Sequence, residues 1–83
     1  MKPMNKLTKR QEETLYWIKT FIRRNEFAPT IREIGKGLGI KSSSVFHLLQ
    51  TLKLKNYLTY HPNKSRTIKI LNGRIQKKGI QND

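Results

Sequence analysis

Three successive amphipathic helical patterns, with a Gly-containing turn between the second and third, lead into a basic, turn-rich segment flanked by two β-prone runs. Together they predict a mainly α chain with a small β-hairpin: a winged helix-turn-helix of three helices plus a wing. A formal net charge of +13 on 83 residues points the same fold toward an anionic partner. The expected organisation is one winged helix-turn-helix domain over residues 1–71 and a basic, flexible tail over 72–83.

Each element has a local reason. Thr8-Lys9-Arg10-Gln11 fits a capping box, so the first helix should run from about residue 9 to 24. Leu15, Ile18 and Ile22 form its apolar stripe, widened by Trp17 and Phe21, and Arg23-Arg24 place cations at the negative end of the helix dipole. Trp17 is expected in the core or at its edge. Pro29 pushes Ala28 into an extended conformation, and Thr30-Ile31-Arg32-Glu33 forms a second capping box. The short helix it opens carries Ile31, Ile34 and Leu38 and should stop at Gly39, which tolerates a left-handed backbone.

Ser42-Ser43-Ser44 then offers N-cap candidates for a third helix reaching about Lys55, with Asn56 as a left-handed terminator. Val45, Leu48, Leu49 and Leu52 fall at i, i+3, i+4 and i+7, which is a single apolar face. Tyr57-Leu58-Thr59-Tyr60 and Thr67-Ile68-Lys69-Ile70-Leu71 are the β-prone runs. Between them His61-Pro62-Asn63-Lys64-Ser65-Arg66 reads as the wing tip.

Composition removes whole classes of function. The absence of cysteine excludes disulfides, iron–sulfur clusters and cysteine-based zinc fingers. His47 and His61 have no second ligand at helical spacing, so no metal or cofactor is expected. No apolar run is long enough to cross a membrane, and Met1-Lys2-Pro3-Met4-Asn5-Lys6 lacks the apolar region of a signal peptide. A cytoplasmic, nucleoid-associated protein without membrane contact is expected. Catalysis is not: there is neither a nucleophile–base pair nor a carboxylate pair in a cleft, and Glu12 and Glu13 diverge on a helix surface.

The charge is unevenly placed. Residues 1–33 carry eight basic and four acidic side chains, whereas residues 34–83 carry ten basic and one acidic, Asp83. From Ile34 to Asn82 there is no carboxylate, and that span covers the third helix, the wing and the tail. A field of this kind attracts polyanions, double-stranded DNA foremost.

Leu7-Thr8-Lys9-Arg10-Gln11, Ala28-Pro29-Thr30-Ile31-Arg32-Glu33-Ile34-Gly35, Leu38-Gly39-Ile40-Lys41-Ser42-Ser43-Ser44 and Arg66-Thr67-Ile68-Lys69-Ile70-Leu71 lie in one colinear run. That run resembles the DNA-binding domain of LexA repressors. The resemblance implies a third helix that enters the major groove of an operator half-site. It departs from the family at two points. The stretch from Ser42 to Leu52 looks one residue shorter than the family pattern, and one residue rotates a helix by about 100°. LexA repressors also continue into a peptidase domain with a Ser–Lys dyad and the main dimer interface. Nothing after Leu71 resembles it, so self-cleavage is not expected.

With its apolar face buried, the third helix should present Ser43, Ser44, Phe46, His47 and Gln50. The candidate DNA-binding residues are Lys41, Ser42, Ser43, Ser44, Phe46 and His47 at the recognition helix, and Asn63, Lys64 and Arg66 in the wing. Ser42 reads mainly as a cap, and Ser43 and Ser44 equally as caps or readers. His47 suits a purine N7 or O6. Phe46 suits either a thymine methyl or packing under the wing. Lys41, Lys64 and Arg66 read as phosphate contacts, with the minor groove an alternative for Arg66.

The expected function is a sequence-specific DNA-binding regulator, a repressor, acting on palindromic sites as paired copies. The alternative is a protein-interaction module that engages a host repressor or polymerase. An apolar patch formed by Phe46, Tyr57 and Tyr60 would favour that alternative.

Overall fold

The computed structural model describes residues 6–71; the tail expected at 72–83 lies outside the described residues. Three helices, α1 (Lys9–Asn25), α2 (Ile31–Leu38) and α3 (Ser42–Leu54), precede a two-stranded antiparallel sheet of β1 (Leu58–Thr59) and β2 (Lys69–Ile70). Leu58 pairs with Ile70 and Thr59 with Lys69. This is the expected winged helix-turn-helix, and no helix among the described residues is long and apolar enough to cross a membrane.

Both capping boxes form. Thr8 Oγ1 accepts from the Gln11 N–H at 3.2 Å, while Gln11 Oε1 accepts from the Thr8 N–H at 3.0 Å. Thr30 and Glu33 repeat the exchange at 3.1 and 2.9 Å. Each box satisfies two N–H groups that a helix start otherwise leaves open, and the N-cap side chain contributes about 1 kcal/mol. The far end of α1 turns through Glu26 in the left-handed region, with its N–H donated to the Ile22 carbonyl. Gly39 (φ 71°) ends α2 as expected, and Asn56 (φ 68°) makes the same turn after α3.

The start of α3 differs from the sequence expectation. Ser42 is its first helical residue; Lys41 takes the N-cap position and makes no side-chain bond to the first turn. The cause lies in the preceding turn. The Ile40 N–H donates to the Gly35 carbonyl at 2.9 Å, so the chain leaves α2 tightly and Lys41 is already extended at the cap. Its carbonyl then accepts from Ser44 and Val45, each at 3.0 Å.

The core joins all the elements. Leu15 and Ile18 from α1, Ile34 from α2, Val45, Leu49 and Leu52 from α3, and Leu58, Tyr60 and Ile68 from the wing segment are buried together. Leu48, expected inside, is only half-buried. Trp17 lies at the edge of this cluster, its indole resting on Gly37 of α2, where a Cβ would overlap the ring. The paired strands are shorter than the β-prone runs around them. Tyr60 and Ile68 are buried outside the ladder and serve the core as anchors of the wing.

Candidate nucleic-acid interface

The buried stripe of α3 decides which of its side chains face out. Val45, Leu49 and Leu52 point inward, and this leaves Ser43, Ser44, His47 and Gln50 exposed along the opposite surface. Ser43, Ser44 and His47 line one shallow groove together with Arg10 of α1. A second shallow groove at the α3 start brings Lys41 and Ser42 beside Arg32 and Lys36 of α2. Three further cations, Arg10, Arg32 and Lys36, thus lie beside the candidate residues at the start of α3. In the sequence Arg10 and Arg32 sit inside the two capping-box motifs, and Lys36 belongs to no motif. The usable signal was their position on solvent faces of helices that the third helix packs against.

The first turn of α3 is electrostatically open. It contains no carboxylate, and its N-cap residue, Lys41, makes no side-chain capping bond. The positive end of that helix dipole therefore meets solvent between basic residues, an arrangement that favours an approaching phosphate.

Phe46 packs against the base of the wing and stays partly exposed. Its ring meets Tyr60 edge-on, with centroids 6.1 Å apart, and the Lys53 ammonium sits over that phenol ring at 5.3 Å. Tyr60 itself is buried, and burial pushes its phenol pKa up. Phe46 therefore props the base of the wing, and Tyr60 is withdrawn from the surface. Tyr57 packs half-buried against the core, so these three rings do not share one open patch.

The wing is ordered by one residue that the sequence did not single out. Thr67 Oγ1 accepts from the His61 N–H at 2.8 Å and shares its proton between the carbonyls of His61 (3.2 Å) and Lys64 (3.1 Å). A turn bond from the Lys64 N–H to the His61 carbonyl closes the tip. Asn63, Lys64 and Ser65 are exposed there.

Arg66 stands apart from them. Its guanidinium turns back toward α2 and donates to both Glu33 oxygens, each at 3.0 Å, and to the Ala28 carbonyl at 3.0 Å. It also covers the Phe27 ring at 4.8 Å. The Arg66 hydrogen bonds, with help from the Thr30 N–H, hold the Glu33 carboxyl below the usual carboxylate range. Of the nine residues selected from sequence, Lys41, Ser42, Ser43, Ser44 and His47 gather at the start of α3, and Asn63 and Lys64 at the wing tip. Phe46 lies against Tyr60 below the wing, and Arg66 lies at the junction of the wing with α2.

Known proteins match this chain over most of its length. Residues 4–67 match the family model described as LexA DNA binding domain. A LexA repressor from Shouchella clausii is 44% identical over 69 residues, covering 82% of this chain and 33% of that protein. One from Staphylococcus carnosus is 39% identical over 75 residues, covering 89% and 36%. One from Bifidobacterium adolescentis is 46% identical over 67 residues, covering 80% and 26%. The chain spans about a quarter to a third of the length of these curated relatives.

Proposed function

The chain belongs to the LexA DNA-binding domain family, and from that premise we propose that it is a sequence-specific regulator of transcription, a repressor, acting on double-stranded DNA in the cytoplasm. The observation that carries this reading is the outward face of α3. It holds exposed serine and histidine side chains beside basic residues, with no carboxylate in the first turn of the helix, next to the wing.

Mechanistically, affinity and sequence reading are divided. Lys41, Arg10, Arg32 and Lys36 at the recognition helix, and Asn63 and Lys64 in the wing, supply contacts to the phosphates. These fix register on the duplex and make binding salt-dependent. The unsatisfied start of α3 adds a backbone phosphate site, with Ser42 beside it. Ser43, Ser44 and His47 reach base edges in the major groove, where a serine hydroxyl suits either base type and an imidazole N–H suits a purine. Phe46 holds the wing at its distance from the helix and meets the groove wall from its exposed edge. Residues 1–71 are the binding domain, residues 72–83 add basic charge, and two copies occupy an inverted repeat.

Selection of bound sequences from a random duplex pool tests the reading. A preferred site, bound roughly 10³-fold tighter than random duplex, is the expected result. The double substitution Ser44→Ala and His47→Ala should relax that preference while leaving salt dependence in place. Uniform protection of all sequences in footprinting would overturn the proposal.

A further inference from the structure

Arg66 has the charge of a phosphate ligand but the surroundings of a fastener. Four interactions converge on its guanidinium from two other parts of the chain: both oxygens of Glu33, the Ala28 carbonyl and the Phe27 ring. Glu33 is fixed independently of Arg66, because its Oε1 also closes the capping box of α2 on the Thr30 N–H. Phe27 is held in turn by Phe21, edge-on at 5.8 Å, and Phe21 by Trp17, stacked at 5.4 Å. The receiving site is therefore built into the helical body, and only the wing side needs to be brought to it.

The backbone of Arg66 supports the same view. Its φ of 57° lies in the left-handed region, an uncommon conformation for a side chain other than Gly, Asn or Asp. A freely solvated arginine gains nothing from that geometry. Here its side chain leads back to α2 and is tied there while staying partly exposed, like its neighbours Asn63, Lys64 and Ser65.

We infer that Arg66 and Glu33 act as a positioning pair, a clamp that presets the wing for the duplex, and that Arg66 does not itself ligate phosphate. The inference rests on the DNA-binding reading above. It assigns the direct wing contacts to Asn63 and Lys64 alone. It also gives a role to Glu33, the last carboxylate before the acid-free run. A negative charge near a DNA-binding surface normally opposes binding. In the clamp it assists, by holding the wing where its lysine is useful. Arginine suits this place because its planar fork matches a carboxylate bidentately, which a lysine does not.

The sign of one substitution separates the two roles. Glu33→Gln removes a negative charge but keeps an oxygen for the Thr30 N–H, so α2 stays capped. If charge alone mattered, this variant would bind duplex more tightly. The clamp requires weaker binding, by about two- to fivefold, the modest size expected of an exposed ion pair. Arg66→Ala should weaken binding similarly without lowering the salt slope, and Arg66→Lys should not restore the wild-type affinity. Lys64→Ala should lower the slope by about 0.9.

Amide exchange in the DNA-free protein provides a reading that no DNA result can confound. The Lys64 N–H, bonded to His61, should exchange faster in Glu33→Gln and in Arg66→Ala, with unchanged helical circular dichroism. Unchanged exchange in both variants would overturn the clamp whether or not the chain binds DNA. So would tighter binding by Glu33→Gln with a steeper slope, because a released Arg66 would then be reaching phosphate. If wild-type protein shows no preferred duplex, the DNA reading fails while the exchange result still decides the clamp.

Discussion

Replacing Gly37 with alanine sets two effects of known size against each other. In an exposed helix Gly→Ala is stabilising by up to ~1 kcal/mol, because alanine loses less backbone entropy on folding. Here the new Cβ would overlap three atoms of the Trp17 indole, Cζ2, Cε2 and Nε1, so something must shift. The indole stacks on Phe21 at 5.4 Å, so displacing it sacrifices that contact. Overpacking of this kind costs about 1–3 kcal/mol. The expected balance is a loss of about 1 kcal/mol, or about 4–8 °C in Tm for a domain of this size. Urea and thermal melts followed by far-ultraviolet circular dichroism would measure it. Trp17 is the single tryptophan and cannot serve as reporter in every variant. The same substitution made in a Trp17→Ala background should reverse sign and stabilise, because the obstructing ring is gone. A Gly37→Ala protein as stable as wild type, or a sign that does not reverse, would refute the reasoning.

Other outcomes follow from the caps and charges. Thr30→Ala should cost about 1 kcal/mol in thermal melts, since it removes the hydroxyl that accepts from the Glu33 N–H. Lys41→Ser should stabilise by about 0.5–1 kcal/mol by capping α3, yet weaken DNA binding in a gel-shift titration, so that stability and affinity move in opposite directions. Glu33 titrates below its unfolded value, so its contribution is complete above the ordinary carboxylate range and is lost as pH falls through the folded value. Acid titration followed by Lys64 amide shifts should therefore show the wing loosening below that range, a step absent from Glu33→Gln.

The helices were legible because their signals are local. Thr8 with Gln11, Thr30 with Glu33, and Gly39 each act over three residues or fewer, so spacing alone located them. The serine cluster misled by one position. A run of good cap residues does not reveal that the bond from Ile40 to Gly35 has already brought Lys41 to the cap. The exposed set on α3 followed from its apolar stripe. Arg66 could not be read in this way, because its partner lies 33 residues away and already had a visible local duty in the capping box. Sequence patterns show one function per side chain; Glu33 has two.

The polar ties of this domain also differ in how much chain they enclose. Helices α2 and α3 are separated by Gly39, Ile40 and Lys41 alone, so they can meet early. By contrast, Lys55 Nζ reaches Gln11 Oε1 across 44 residues and the Lys6 carbonyl across 49, and Arg66 reaches Glu33 across 33. Closing large loops is entropically unfavourable until packed helices hold their ends together. These ties should consequently form after the folding barrier is crossed. Substitutions in them would leave the refolding rate nearly unchanged and accelerate unfolding. In kinetic terms, the ties made by Lys55 and Arg66 should act on how long the native state lasts, and the short turn at Gly39 on how quickly it is reached.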